Sequence, residues 1–230
     1  PMYTIQNRSA MDNTLSWKDK ITSSLKDTQK PKREPKKAHK KALNKAPSKE
    51  KTQHKSQPSK SQNTNIQTER SYHLNNEWAL YYHNPTSNDW TMNSYMCVGR
   101  FRTIGDFSAY YKALDFEHNH QGMFFLMRGS IKPTWEDPKN IKGGCWSFKI
   151  SLEHFYTVWK ELSMLMIGES LSTQPLLING ISMSPKRGFC IIKLWNHDSS
   201  QSSISLLRLS HVDHLEDNGP ALYTPFDKKK

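Results

Sequence analysis

Two tryptophans stand in turn-rich segments, where an indole side chain can contact a ligand. Trp90 follows N-P-T-S-N-D, a run of turn-forming residues, and Trp135 lies in the loop S-I-K-P-T-W-E-D-P-K-N-I-K-G. Glu136 comes directly after Trp135, and its carboxylate can accept hydrogen bonds from a ligand that stacks on the indole. The alternative interpretation is that each loop tryptophan is a partly buried anchor of the fold.

A basic turn supplies the positive charge that a phosphate ligand requires. Lys186 and Arg187 lie in the turn P-K-R-G between two apolar runs. Because side chains alternate along a strand, Ile191, Lys193 and Trp195 are predicted to share one face of the second run. For Lys186, Arg187 and Lys193 the alternative is a solvated surface base.

Catalytic residues are not apparent in the sequence. Cys97, Cys145 and Cys190 are far apart and form no C-x-x-C pair, and the ten histidines form no spaced metal or nucleophile motif. Glu136 and Asp137 are the one acidic pair that we identify as candidate metal ligands. No second acidic residue is apparent that could act with Glu136 in catalysis. We therefore expect a non-enzymatic protein that uses neither a metal nor a cofactor.

The chain divides near residue 70 into two parts of different composition. Its length of 230 residues excludes a large multidomain assembly, and its formal net charge is +12. Residues 1–70 carry 17 Lys and Arg against 6 Asp and Glu but only two of the 25 aromatic residues. Residues 71–230 carry 16 Lys and Arg against 15 Asp and Glu, together with the other 23 aromatic residues. We expect a disordered, lysine-rich extension over residues 1–70 and one folded domain over residues 71–230.

The positive charge of the extension is densest over residues 30–60, where twelve Lys and Arg stand among Pro, Ser and Gln. Such a run binds RNA through counterion release, serves as a nuclear import signal, or is a solvated linker without a partner. The sequence has no apolar run near 18 residues and no signal-peptide pattern. We expect a cytoplasmic protein, with the nucleus as a second location, and no membrane contact.

Short aromatic and β-branched runs punctuated by turns predict an antiparallel sheet in the folded part. The predicted strands are residues 78–83, 95–104, 122–129, 144–150, 176–183 and 189–195. Helices are predicted over residues 107–114, with Asp106 as the cap, and over residues 152–169. This is an α+β architecture in which two or three helices cover one face of a sheet and leave the other free for binding.

Six motifs occur in a fixed order between residues 72 and 198: W-A-L-Y-Y-H, T-I-G-D-F-S-A-Y-Y, W-E-D-P-K-N, G-G-C-W, V-W-K-E-L and I-G-E-S. In this order and spacing the chain resembles the eukaryotic translation initiation factor 4E family, whose members bind mRNA caps. The resemblance implies a single curved antiparallel sheet with about three helices on its convex face. It places the cap pocket on the concave face.

By motif position, the resemblance implies that Trp90 and Trp135 sandwich the 7-methylguanine ring and that Glu136 accepts from its N1–H and N2–H2 edge. Trp195 matches the tryptophan near the ring methyl group. Methylation at N7 makes guanine cationic, so stacking on each indole gains about 0.5–2 kcal/mol of cation–π attraction. The implied ligands are capped mRNA and GTP-like cap analogues.

The resemblance also implies that Lys186, Arg187 and Lys193 bind the cap triphosphate. Two positions depart from the family. Cys145 stands where an arginine is usual, and Ile191 stands where a phosphate-binding lysine is usual. We therefore expect a rearranged phosphate grip.

A second surface, which binds a helical peptide of the 4G scaffold factor or of a repressor, is also implied. Its matching positions are His73, Ile104, Ser108, Trp159, Lys160, Met164, Gly168 and Glu169. Ser108 replaces a tryptophan of the family and Lys160 replaces an apolar residue, so the partner peptide is expected to be non-standard.

Three functions follow from these observations. The first is a cap-binding factor that recruits mRNA for translation initiation through a scaffold partner. The second is a cap-sequestering translational repressor homologue, which the residues at positions 108 and 160 suggest. The third is a general single-stranded RNA-binding protein that uses aromatic side chains as stacking platforms.

Overall fold

One antiparallel sheet of seven strands forms the centre of the fold. The computed structural model describes residues 72–114 and 122–227, and the predicted lysine-rich extension lies outside them. The strands follow the spatial order β2-β1-β3-β5-β6-β4-β7, and every neighbouring pair is antiparallel. Their bounds are β1 His73–His83, β2 Tyr95–Thr103, β3 Met123–Arg128, β4 Gly144–Ser151, β5 Ile178–Lys186, β6 Phe189–Asn196 and β7 Leu222–Pro225.

Two α-helices, α1 (Ile104–Leu114) and α2 (Phe155–Ile167), cover one face of this sheet. The described residues also form three short 3-10 helices. The sequence analysis predicted about three helices in all. Trp78, Trp146 and Trp159 are almost completely buried between sheet and helices and belong to the core. The predicted layered α+β architecture is therefore confirmed.

The opposite face of the sheet carries a smaller apolar cluster. Its members include Phe125 on β3, Cys145 on β4, Trp195 on β6 and Phe226 just after β7. These side chains are buried although neither α-helix belongs to this cluster. This face therefore combines a packed apolar floor with access from solvent.

The start of α1 differs from the prediction. The helix begins at Ile104, so Asp106 lies in its first turn, and the prediction of Asp106 as the cap is wrong. The cap is Thr103, the last residue of β2, whose Oγ1 accepts a hydrogen bond from the Asp106 N–H at 3.0 Å. Thr103 therefore ends strand β2 and also caps helix α1.

Strand and helix ends account for the other differences. Helix α2 is shorter than the predicted residues 152–169, and β1 begins at His73 rather than at residue 78. Strand β7 was not predicted. The predicted hairpin is confirmed: Lys186 pairs with Phe189, and Gly188 has a φ of +91°, a turn conformation that glycine adopts without strain.

All three cysteines are free, with Cys145 and Cys190 buried and Cys97 exposed. Burial raises the pKa of Cys190 to about 12, so this thiol stays protonated at neutral pH. Across the described residues, no helix is both long enough and apolar enough to cross a membrane.

The Thr103→Ala variant should lower the free energy of unfolding by about 1 kcal/mol, because the Asp106 N–H loses its acceptor. Urea denaturation of Thr103→Ala and Asp106→Ala, side by side, measures the effect. A larger loss in Asp106→Ala than in Thr103→Ala would contradict Thr103 as the cap.

Candidate functional site

A pocket of about 360 Å³ opens on the sheet face that the helices leave free. It contains all four residues predicted to bind the ring, together with Lys186 and Lys193, whereas Arg187 does not line it. The lining residues are Trp90, Tyr95, Met123, Phe125, Pro133, Thr134, Trp135, Glu136, Ser182, Ser184, Lys186, Ile191, Lys193, Trp195 and Phe226. Aromatic rings, one carboxylate and two ammonium groups therefore meet in one cavity.

Trp90 is held at the pocket by a ring stack behind it. Its indole is 53% exposed and lies parallel to the imidazole of His83, with ring centroids 4.4 Å apart and planes at 9°. His83 is fully buried at the end of β1, and its Nε2 lies 2.9 Å from the backbone oxygen of Asp89. The stack uses one face of the indole and leaves the other for a ligand. Sequence reasoning missed His83, although it directly precedes the turn-rich segment.

Asp137 fixes the loop that carries Trp135 and Glu136. Its carboxylate oxygens accept hydrogen bonds from the backbone N–H groups of Lys132, at 3.0 Å, and Lys139, at 2.9 Å. The side chain is thus used inside the loop, as expected of a turn-capping aspartate. Asp137 therefore caps the turn within this loop.

Asn140 ties the same loop to the sheet. Its fully buried amide donates to the backbone oxygens of Lys132 and Thr134, at 3.0 and 2.8 Å. Its Oδ1 accepts from Asn179 of β5 at 2.8 Å. Because Thr134 directly precedes Trp135, this network sets where the indole enters the pocket.

Trp195 forms the apolar floor of the pocket. Its Nε1–H donates to the Ser182 hydroxyl at 3.0 Å, and the Phe226 ring lies 5.0 Å from it between centroids. Only 7% of Trp195 is exposed. Ser182 and Phe226 were not predicted as pocket residues, and Phe226 lies beyond the last strand that sequence reasoning found.

Tyr95 is a pocket residue that the sequence did not single out. Burial, and next the negative charges of Glu136 and Asp89, raise its pKa to about 12. The phenol therefore remains protonated and uncharged at neutral pH. It gives the pocket wall a hydroxyl close enough to Glu136 to be influenced by that carboxylate.

The predicted alternation along β6 is confirmed. Ile191, Lys193 and Trp195 line the pocket, whereas the side chains between them belong to the core on the helix side. Cys145 pairs with Trp195 across β4 and β6 and is 1% exposed. A buried thiol therefore stands where an arginine would carry charge.

Comparison with known proteins agrees with this fold. The sequence model described as "Eukaryotic initiation factor 4E" matches residues 73–218, well over half of the chain. The chain belongs to the eukaryotic initiation factor 4E family. A relative from Eremothecium gossypii, named eukaryotic translation initiation factor 4E, is 30% identical over 158 residues, which are 62% of this chain and 74% of the relative.

Two solved structures of the initiation factor 4E family have the same fold. The complex of Caenorhabditis elegans eIF4E-3 with the 4E-binding protein Mextli and a cap analog has a TM-score of 0.59 and 25% identity, covering 69% of this chain and 94% of that chain. A schistosome eIF4E complexed with m7GpppA and 4E-BP has a TM-score of 0.53 and 26% identity, covering 58% and 75%.

The surface predicted to bind a partner in this 4E family member is a groove of about 310 Å³ between the two helices. Ile104, Ser108, Lys160, Met164 and Gly168 line it as predicted. Two apolar side chains of its lining are exposed, Ile104 by 49% and Met164 by 52%. The groove also contains Leu74, Phe107, Tyr111, Lys112, Tyr156 and Ile167.

Three residues of the predicted partner surface lie elsewhere. Trp159 is 1% exposed, so its side chain packs in the core and its assignment to the surface is wrong. Glu169 forms an ion pair of 2.9 Å with Arg128 and accepts hydrogen bonds from two asparagines of β1, so it stabilises the fold beside the groove. His73 is exposed at the first position of β1 but does not line the groove.

A histidine pair on another part of the surface was not predicted. The rings of His154 and His214 stack with centroids 3.6 Å apart, and His214 Nδ1 lies 2.7 Å from an oxygen of Asp217. The ligand atoms of these three residues lie within 4.8 Å of one another. The stacked rings are parallel within 10°, however, so their nitrogen lone pairs do not converge on one point.

The Asn140→Ala variant should lower the free energy of unfolding by about 3 kcal/mol, because it leaves several buried partners without a hydrogen bond. Thermal or urea unfolding measures the loss. The exposed Asn88, in the loop before Trp90, is the matched control, and its alanine variant should change stability by less than about 0.5 kcal/mol. Equal effects in the two variants would contradict the role of Asn140.

Proposed function

We propose that this chain binds the 7-methylguanosine cap of mRNA and brings the mRNA to a scaffold partner for translation initiation, without catalysing a reaction. The observation that carries the proposal is the convergence of Trp90, Trp135, Glu136 and Trp195 in one cavity. Stacking surfaces and a carboxylate are what recognition of a cationic guanine requires.

Ring recognition rests on the two loop tryptophans. Trp90, with one face free of its stack on His83, and Trp135 both line the cavity, and a methylated guanine inserted between the two indoles would be stabilised on both faces. The positive charge that N7 methylation creates adds about 0.5–2 kcal/mol per indole. An unmethylated guanine lacks this contribution, so the pocket discriminates between the two.

Base identity rests on Glu136. Its two carboxylate oxygens accept from the N1–H and N2–H2 donors of guanine as a bidentate pair, and adenine offers no equivalent pair of donors. Lys186 and Lys193, which also line the cavity, then bind the triphosphate. Arg187, at the hairpin turn, reaches phosphates only beyond the cavity itself.

Solved relatives support the proposal. The two solved structures above are complexes of those proteins with a cap analog or m7GpppA and with a 4E-binding protein. By extension, the groove between α1 and α2 is the surface for a scaffold or repressor peptide. Residues 71–230 then form the cap-binding domain, and the lysine-rich residues 1–70 raise the rate of association with RNA in the cytoplasm.

The polar groove residues favour a second candidate, a cap-sequestering translational repressor homologue. Ser108 and Lys160 line the groove at positions where a large aromatic and an apolar residue are usual. Lys112 adds a second positive charge. A chain that keeps the cap pocket but binds the usual scaffold peptide weakly withholds mRNA from translation.

Tryptophan-fluorescence titration with 7-methyl-GTP and with GTP tests cap binding. We expect tight quenching by the methylated ligand and weak quenching by GTP. The Trp135→Ala variant removes one stacking face and Glu136→Gln removes a charge-assisted pair, so each should weaken 7-methyl-GTP binding by about 10- to 100-fold.

The Glu153→Gln variant is the matched control for charge, since Glu153 is 82% exposed and lies outside the cavity. It should bind 7-methyl-GTP like the unmodified chain. Equal quenching by 7-methyl-GTP and GTP would overturn the cap proposal and favour general single-stranded RNA binding.

The double variant Ser108→Trp, Lys160→Ile distinguishes the factor from the repressor homologue. If the polar groove weakens binding, the variant should bind a labelled peptide with the tyrosine-and-leucine motif of the 4G factor at least about tenfold more tightly. Fluorescence anisotropy measures this, with a peptide lacking both motif residues as the control. Tight binding by the unmodified chain, with no gain in the variant, would contradict the repressor candidate.

A further inference from the structure

A continuous row of side chains leads out of the pocket along β6. Trp195, Lys193 and Ile191 line the pocket, and Phe189, two residues further, lies on the same face because side chains alternate along a strand. Phe189 is half-buried and does not belong to the pocket lining. The strand rises by about 3.3 Å per residue, so Phe189 lies roughly 20 Å from Trp195.

Lysines flank the outer end of this row on both sides. Lys186 of β5 pairs directly with Phe189, and Lys149 of β4 pairs with Ile191. Directly paired residues of antiparallel strands share a face, so both lysines point to the pocket side of the sheet. Arg187 adds a third exposed cation at the hairpin turn.

The end of the row is an aromatic platform with a cation on it. The Nζ of Lys149 lies 4.9 Å from the centroid of the Phe189 ring. Lys149 is exposed, and a cation–π contact at an exposed site is weak, so the ammonium can leave the ring when a stronger partner is present. An aromatic ring bordered by lysines is the arrangement that binds single-stranded nucleic acid.

We propose that Phe189 and Lys149 form a subsite for the nucleotides that follow the cap, with Phe189 stacking a base and Lys149 binding a phosphate. This subsite rests on the proposed cap binding, because the pocket fixes the 5′ end from which the RNA runs outward. Lys186 lies between pocket and platform and contacts the intervening phosphates. Arg187 gains a role here that the pocket does not give it.

The subsite offsets the two departures from the family. Cys145 and Ile191 place a buried thiol and an apolar side chain where cations would grip the triphosphate. The positive charge of this face lies further along the sheet, at Lys149, Lys186 and Arg187. The binding free energy that the triphosphate loses is then regained from the RNA chain.

The test compares 7-methyl-GTP with a capped pentanucleotide RNA, both titrated against the full chain. We expect the capped RNA to bind more tightly, and Phe189→Ala to weaken it by about tenfold while leaving 7-methyl-GTP unchanged. Phe189→Tyr keeps a stacking face and should retain the affinity. An equal effect of Phe189→Ala on both ligands would overturn the subsite.

Charge is tested in the same assay. Lys149→Gln should weaken the capped RNA severalfold and reduce the slope of log affinity against log salt by about 0.7. Lys142→Gln is the control, because Lys142 is equally exposed but lies beyond the opposite end of β4. Identical salt slopes in Lys149→Gln and in the unmodified chain would contradict phosphate binding by Lys149.

Two further comparisons distinguish failure of cap binding from failure of the subsite. The same pentanucleotide without a cap measures RNA binding that does not depend on the cap, to which the lysine-rich extension contributes in all variants alike. If 7-methyl-GTP and GTP bind alike, cap binding itself fails. If 7-methyl-GTP is preferred but the capped RNA binds no more tightly, cap binding stands and the subsite is wrong.

Discussion

The two-residue alternation of side chains along β6 is the constraint on which the two faces of this domain depend. Cys190, Ile192 and Leu194 are fully buried against the helices, and the residues between them face the pocket. Burial of each aliphatic side chain contributes about 1.5–3 kcal/mol, so a slip of one residue would both lose this burial and drive Lys193 into the core. The same packing that folds the domain therefore aims Lys193 and Trp195 into the pocket.

Loops bring Trp90 and Trp135 to this face, and each is held by a different interaction. Buried hydrogen bonds of Asn140 fix the segment before Trp135, and such bonds are directional. Trp90 depends instead on a parallel stack against His83, which is buried at the end of β1. The two indoles are therefore positioned by different interactions, Trp135 by buried hydrogen bonds of its loop and Trp90 by a ring stack.

Periodicity and motif order predicted the strands, the hairpin and the residues that meet in the pocket, because those features are local or shared by the family. Long-range contacts escaped prediction. Phe226 reaches the pocket through β7, whose four residues carry no clear pattern, and His83 stacks on Trp90 only because the loop folds back. Asp106 was mistaken for a cap because Thr103 already belonged to a predicted strand. Trp159 matched a surface position of the family but packs inward.

In the proposed mode of cap binding, ring recognition and phosphate recognition depend on different residues of this chain. A sandwich of two indoles and a carboxylate tolerates no substitution without loss of stacking or of the bidentate pair, and all three groups are present. Phosphates, in contrast, are attracted by any cation within about a Debye length of 8 Å, so their partners can move along the sheet. Cys145 and Ile191 remove charge near the ring, whereas Lys149, Lys186 and Arg187 stand towards the hairpin. If the proposed cap binding is correct, such a shift would keep the selectivity for the methylated base and would make the affinity depend more on the RNA that follows the cap.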